Sequence, residues 1–536
     1  MQNGFISKGW AMAGKRLLMM TASLALMASA AQAATDPRDD EIAALKAQLQ
    51  IQAQTLKALQ DRVEGLENRP AVAAAPAVQT IPVPPPAPPS AGGASIAGGH
   101  PSIQSADGRF IANLHAVMQF DAAQYYQRDP GPLTSDFRRG AASTDTAHAR
   151  DLSSGSDFRR ARIGIDGKVF GDFEYNALFD FGGAGEEDAG HIQELWLQYS
   201  GLRPFHFKIG AYPPSIGLED QASTNGAPFL ERPAVADMAR SVAGGDFRES
   251  AEIWAGGDRW YANAAMTGRL VGVVNSTATG VSQPFDSQLA WIGRVAFLPA
   301  LGEDYLVHIG AHGSYVEHPA DAGGPDTAPT AARYTITIQE RPELRVDGTR
   351  LISTGAIDAA HASTMGVEAA AQWRTLWIES EYEHFDIDRR NAAVGQTDPS
   401  FNGFYVEGSW IVTGERRRYN ANTAAFDAPP VDHPFSVENG TWGAWEVALR
   451  YSDIDLNYNP GAAGTAPTAD AVRGGEQKIT TFGVNWYMNS VIRFMVEYQD
   501  VRVDRLSPSA TTFQTPAGAQ VGQHYNALAL RSQMAF

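Results

Sequence analysis

From Arg109 to Phe536 the chain repeats one pattern. Segments of about ten residues alternate apolar and polar side chains, separated by connections that are in turn short and long. In W-G-A-W-E-V-A-L-R-Y-S-D-I-D-L (442–456), Trp445, Val447, Leu449 and Tyr451 alternate with Glu446, Ala448, Arg450 and Ser452. In F-E-Y-N-A-L-F-D-F (173–181), Phe173, Tyr175, Ala177, Phe179 and Phe181 alternate with Glu174, Asn176, Leu178 and Asp180. Met365–Arg374 and Ile492–Gln499 read the same way. A period of two means β-strands with one apolar and one polar face. A soluble sandwich would turn the apolar faces toward each other. A membrane barrel turns them out to lipid and lines its lumen with the polar ones.

The ends of the chain favour the barrel. Lys8, Lys15 and Arg16 precede the apolar run Leu17–Ala28, and Ala31-Gln32-Ala33 follows, the layout of a secretory leader cleaved after Ala33. The last segment, H-Y-N-A-L-A-L-R-S-Q-M-A-F, stops on Phe536, an expected outer-membrane assembly signal. No other stretch is apolar enough for a transmembrane helix. With no cysteine there is no disulfide framework and no thiolate metal site. A closed barrel needs neither, because every strand is hydrogen-bonded on both sides.

The expected fold is therefore all-β: a transmembrane antiparallel barrel of sixteen strands. The expected spans are 109–124, 158–168, 172–182, 191–200, 204–212, 247–256, 259–269, 287–298, 303–317, 363–374, 376–386, 401–412, 443–456, 477–488, 490–503 and 524–536. Short turns belong on the periplasmic side and long loops outside. Two loops are very long, Pro213–Asp246 and Glu317–Ala362. The second contains Y-T-I-T-I-Q-E-R-P-E-L, which as a wall hairpin would raise the count to eighteen; Pro342 argues against that.

Residues 34–69, between leader and barrel, carry heptads with Ile42, Leu49, Leu56 and Val63 at a and Leu45, Gln52, Leu59 and Leu66 at d, a periplasmic coiled coil by pattern. Residues 70–104 read as a linker, polyproline-like and then flexible and glycine-rich. The barrel domain is 105–536.

The formal charge is −18, and removing the three basic residues of the leader takes it to −21. That argues against nucleic acid as a partner. It does not fix pore selectivity, because a constriction feels only nearby charges. Only seven of the 42 basic residues are lysines, so permanently charged planar forks dominate.

Several stretches together resemble the phosphate-selective porin O and P family: F-R-R-A-R-I-G-I-D-G-K-V-F-G-D-F-E-Y-N-A-L-F-D-F-G-G (158–183), I-G-A-Y-P-P-S-I-G-L-E-D (209–220), E-R-P-E-L-R (340–345), F-Y-V-E-G-S-W-I-V-T-G-E (404–415), G-A-W-E-V-A-L-R-Y-S (443–452) and G-V-N-W-Y-M-N (483–489). The resemblance runs through residues 105–536. It implies an outer-membrane homotrimer of sixteen-stranded barrels, with loops folded inward that bring arginines to a narrow anion path.

Such a protein has no catalytic group and no cofactor. It shapes a free-energy profile, holding the ion well enough to admit it and weakly enough to release it. Strand parity and loop placement give the anion-binding candidates Arg160, Arg162, Lys208, Arg232, Arg240, Arg248, Arg341 and Arg345. Parity also turns Arg294, Arg374, Arg450, Arg493 and Arg531 inward, together with many glutamates, so most wall arginines are expected to pair with wall carboxylates. His206, His308 and His312 share that inward parity, but no carboxylate at ligand spacing completes a metal site. Two further readings stay open. One is a general or cation-preferring porin, given the acidic total. The other is a tether, in which the coiled coil reaches peptidoglycan. The expected partners are two further copies, outer-membrane lipid and lipopolysaccharide, and phosphate or other small anions.

Overall fold

The computed structural model describes residue 57 and residues 92–97, 99–127, 152–183, 190–243, 245, 248–271, 288–321, 333–508 and 517–536. The expected leader and most of the expected coiled coil and linker lie outside them. The chain divides into two units, Met1–Pro86 and Ala87–Phe536. Only Lys57, in helical conformation, is described in the first.

Sixteen strands form the wall: β1 (Ile111–Gln127), β2 (Gly155–Val169), β3 (Phe173–Asp180), β4 (His191–Leu202), β5 (Phe205–Ala211), β6 (Arg248–Gly257), β7 (Trp260–Leu270), β8 (Leu289–Leu301), β9 (Tyr305–His318), β10 (Ile357–Trp373), β11 (Leu376–Arg389), β12 (Ser400–Ile411), β13 (Ala444–Tyr458), β14 (Val472–Tyr487), β15 (Ile492–Asp504) and β16 (His524–Ala535). Each pairs antiparallel with its chain neighbours, and β16 pairs with β1 from Ala535↔Val117 to Tyr525↔Gln127, closing the ring. Closure satisfies every wall N–H and C=O without water, which a bilayer demands.

Parity holds in direction. Leu449 is 59% exposed, while Glu446, Ala448 and Arg450 are buried inside. The long loop after β9 contributes no wall strand. Thr335–Ile336 lies alongside the start of β10, and Gln339–Glu340 pairs with Ile352–Ser353 inside the loop, so the count stays at sixteen. The stretch expected to be a flexible spacer departs from that reading. Gly93–Ala97 and His100–Gln104 form a hairpin that continues onto β1 through Ser102↔Asn113.

Two further features depart from the simple pattern. First, the inward face is polar only at mid-strand. Toward the long-loop end it carries Ile292, Phe385, Phe401, Ile454, Ile479 and Val501, all buried. The loop between β5 and β6 explains this. It folds into the barrel with two helices, α1 (Leu218–Gln221) and α2 (Ala234–Ala243). Val235, Met238, Ala239 and Val242 of α2 join those wall residues in one apolar cluster, together with Leu344, Leu351 and Ile352 of the loop after β9. The apolar core therefore sits inside the lumen, on the β8–β16 side. Second, the connection from β12 to β13 runs from Ile411 to Ala444, although it lies at the short-turn end. Its hairpin, Arg418–Asn420 with Ala425–Asp427, packs inward: Ala425 and Phe426 bury against Leu218, Leu298 and Trp377.

Candidate functional site

With one side filled by loops, open lumen remains against β1–β5. A cavity of about 400 Å³ lies there, bounded by wall residues of β1–β5 on one side and by residues 220–225, 231–240 and Arg345 on the other. Seven cationic side chains line it: Arg159, Arg160, Arg162, Lys208, Arg232, Arg240 and Arg345. Four carboxylates face them: Glu194, Asp220, Glu231 and Asp237. The excess is local and positive, against an acidic total.

Glu231 organises the site. Arg159 grips it through Nε (2.7 Å) and Nη2 (3.2 Å). Arg531 donates at 2.9 Å, Arg345 stands at 3.5 Å and Arg160 at 3.7 Å. Burial pushes the Glu231 carboxyl up, but the arginines around it outweigh that and hold it well below the usual carboxylate range. Asp121 and Asp237 take up Arg531 and Arg345 as well, so three carboxylates meet four guanidiniums and one positive charge is left over.

Arginines of the wall and of the β12–β13 connection hold the loop in place. Arg417 donates to the Gly226 carbonyl (2.9 Å), Arg493 to that of Ala227 (2.7 Å), Arg531 to that of Leu230 (2.5 Å) and Arg450 to that of Glu231 (2.9 Å). Only part of the expected cross-strand pairing is therefore present. Arg450 does pair with Glu343 and Glu407, and Arg294 with Glu368, but the guanidiniums also bind loop carbonyls that the wall itself cannot satisfy.

Six of the eight expected anion-site residues meet in the cavity, with different freedom to act. Arg162 is held by Asp180 (2.6 Å) and Gln193 (2.8 Å). Arg240 lies 3.0 Å from Asp220. Arg345 donates to Asp237 at 2.8 Å. Arg232 spends its donors on the carbonyls of Glu219, Asp220 and Ala222, folding its own loop. Arg160 donates to Gln119 (2.6 Å), and its buried Nε has no acceptor among the described residues. Lys208 stands over the rings of Trp196 (4.4 Å) and Tyr212 (4.0 Å) and makes no ion pair among the described residues. A cation between two aromatic faces is positioned without being neutralised.

Two candidates lie elsewhere. Arg248 donates to the Gly268 carbonyl across the β6–β7 register shift, away from the cavity. Arg341 is buried and donates to Gly348 within its own loop. A third correction concerns Arg374, which occupies the β10–β11 turn with φ of 53° and pairs with Asp304, rather than facing the lumen.

Arg159 is the residue that strict parity misses, since it precedes Arg160. The β1–β2 register jumps from Gln119↔Arg160 to Phe120↔Phe158, so Arg159 is the extra residue of a bulge. A bulge lets two consecutive side chains face one way. The R-R doublet flanked by alternation is the only signal of it in the sequence.

The histidines also differ from the sequence reading. Glu368 of β10 reaches both His308 (2.9 Å) and His312 (3.2 Å) of β9, and Glu383 of β11 reaches His312 at 2.6 Å. These carboxylates arrive from neighbouring strands, which spacing along one strand does not reveal. Gly366, between them, is needed there: a Cβ would fall 2.1 Å from His312 Nε2.

The chain is similar to several known proteins. The family model described as phosphate-selective porin O and P matches residues 133–536. Porin O of Pseudomonas aeruginosa is 24% identical over 411 residues, 76% of this chain and 88% of that protein. Among solved structures, OmpT of Vibrio cholerae aligns over 80% of this chain and 98% of its own, at 12% identity and a TM-score of 0.42. An anion-selective porin from Comamonas acidovorans aligns over 79% and 99%, at 11% identity and a TM-score of 0.41.

Proposed function

The chain belongs to the phosphate-selective porin O and P family, and we propose that this outer-membrane channel passes small oxyanions, phosphate among them, along the β1–β5 side of its lumen. The observation that carries this reading is the cavity's seven cations against four carboxylates, two of the cations, Lys208 and Arg160, keeping donors in reserve.

The mechanism is exchange of hydration for protein donors. An oxyanion entering from the long-loop end first meets loop arginines, Arg345 and Arg240, whose carboxylate partners temper their pull. Arg160, Arg162 and Lys208 then replace water around it. Guanidinium forks match two oxygens of phosphate at once and never lose their charge. Lys208 acts as a point charge whose aromatic neighbours keep it in place. Because Asp220, Glu231 and Asp237 stay close, no step is so deep that the ion is trapped.

The protein works as a homotrimer in this reading. β3 and β5 have eight and seven residues, below the nine to eleven or so that suit a lipid-facing strand. Their low, apolar outer face fits a second copy better than a full bilayer. Residues 34–69 extend into the periplasm as a coiled coil, where peptidoglycan is in reach.

The test is the reversal potential of single channels in a chloride gradient, followed by titration with phosphate. An anion-selective pore whose chloride current phosphate blocks supports the proposal. A cation-selective pore replaces it with the general-porin reading.

A further inference from the structure

Inside the barrel, opposite the cationic cavity, three carboxylates converge: Glu219 of α1, Glu379 of β11 and Glu407 of β12. Each is at least 98% buried, and each offers an oxygen within 4.8 Å of the other two. Cationic help is scarce. Neither Glu219 nor Glu379 forms an ion pair among the described residues. Glu407 accepts from Arg450 Nη1 at 3.4 Å, but Arg450 gives its shorter bond to Glu343. Glu379 accepts from the Tyr405 hydroxyl at 2.8 Å.

A second observation separates this group from an ordinary acidic cluster. Glu407 is 1% exposed, and its Oε1 has no hydrogen-bond partner among the described residues. Arg450 takes the other oxygen, which leaves Oε1 for the centre of the group. The neighbouring set of His312, Glu368 and Glu381 makes the contrast. There both oxygens of Glu381 accept backbone N–H groups, from Leu218 (2.6 Å) and Glu219 (3.2 Å), both ring nitrogens of His312 are bonded to carboxylates, and Arg294 grips Glu368. In the set of Glu219, Glu379 and Glu407, by contrast, Oε1 of Glu407 is left over.

We propose that Glu219, Glu379 and Glu407 form a calcium-binding site that ties the inward-folded loop to wall strands β11 and β12. The chemistry selects the ion. An all-carboxylate oxygen set suits a hard divalent cation. Ca²⁺ also tolerates the irregular geometry of ligands drawn from one short helix and two strands. Bound there, it offsets mutual repulsion that Arg450 only partly relieves and fixes α1, the segment that presents Asp220 and Gln221 to the cavity.

The experiment uses the full-length protein extracted from membranes, stripped with a chelator and titrated with Ca²⁺ by calorimetry. One Ca²⁺ per chain is expected, with Mg²⁺ weaker by on the order of tenfold and the affinity of the Glu379→Gln/Glu407→Gln variant lower by at least about tenfold. Unchanged Ca²⁺ binding in that variant overturns the proposal, because the ion then sits elsewhere. No Ca²⁺ binding in the parent, with the variant melting higher, also overturns it and means that the carboxyls share protons. If the double variant fails to fold, Tb³⁺ on the parent protein decides. Tyrosine-sensitised emission that Ca²⁺ displaces and that Tyr405→Phe abolishes supports the site. Emission that survives Tyr405→Phe overturns it.

Discussion

Arg531 donates to Glu231 at 2.9 Å while holding both oxygens of Asp121 at 2.6 Å. One guanidinium on the last strand thus joins the first strand and the loop that narrows the lumen. Removing the carboxylate at its centre has two expected consequences. Glu231→Gln leaves Arg159 and Arg531 short of a buried partner and costs about 3–5 kcal/mol of stability. It also unmasks positive field in the cavity, so the reversal potential shifts further toward the anion limit. A shift toward cations contradicts this assignment.

The pH dependence follows from the same residue. The arginines hold Glu231 well below its ordinary value of 4.5. A carboxyl depressed in the folded protein contributes stability that is complete above its unfolded pKa and is lost as pH falls through the folded one. The loop anchor therefore holds throughout neutral and mildly acidic conditions. Loosening of the loop, read as a change in single-channel noise, is expected only below about pH 4.5. Titration of the noise near pH 6–7 would assign control of the loop to another group.

Lys208 offers a cleaner test of selectivity than any arginine, since it makes no ion pair among the described residues. A charge about 4 Å from a passing ion contributes about 1–4 kcal/mol between bulk water and an intermediate dielectric. Lys208→Met is expected to weaken phosphate block of chloride current several-fold without loss of folded protein. Arg248→Ala and Arg341→Ala, whose side chains bond backbone outside the cavity, leave block unchanged.

The wall was legible in the sequence because period two is a local signal that the bilayer enforces along every strand. All sixteen strands stand where alternation placed them, although two begin five or six residues earlier, at Ile357 and Val472. The cavity was legible only where parity and loop placement agreed, as at Arg160, Arg162 and Lys208. Arg159 was hidden because a bulge breaks parity at one residue. Arg232 was visible as a cation, but not as the residue that ties up three carbonyls of its own loop. The Glu368–His312 contact joins neighbouring strands, and nothing along one strand encodes the register between two. The inward apolar residues Phe385 and Ile454 broke the polar-lumen rule because they anticipate α2, a partner 140 or more residues earlier in the chain.

The last prediction concerns the β12–β13 connection, whose length is out of keeping with its end of the barrel. Arg294 donates to Glu368 through Nε and Nη2 and to the carbonyls of Thr423 (2.8 Å) and Ala424 (2.8 Å). Tyr419 of the same hairpin meets His308 at 2.9 Å. The hairpin therefore stands in the lumen as an obstruction strapped to β8 and β9. It lies apart from the cavity, whose lining includes none of its residues. Excising residues 418–427 should raise single-channel conductance while leaving the sign of the reversal potential unchanged. Arg294→Met, which keeps the volume but removes the strap, should act in the same direction more weakly. It also leaves Glu368 buried with only its histidine partners, at a cost of about 3–5 kcal/mol. Planar-bilayer recordings of both variants separate the two roles. Equal conductance in all three proteins would mean that ions never pass the hairpin.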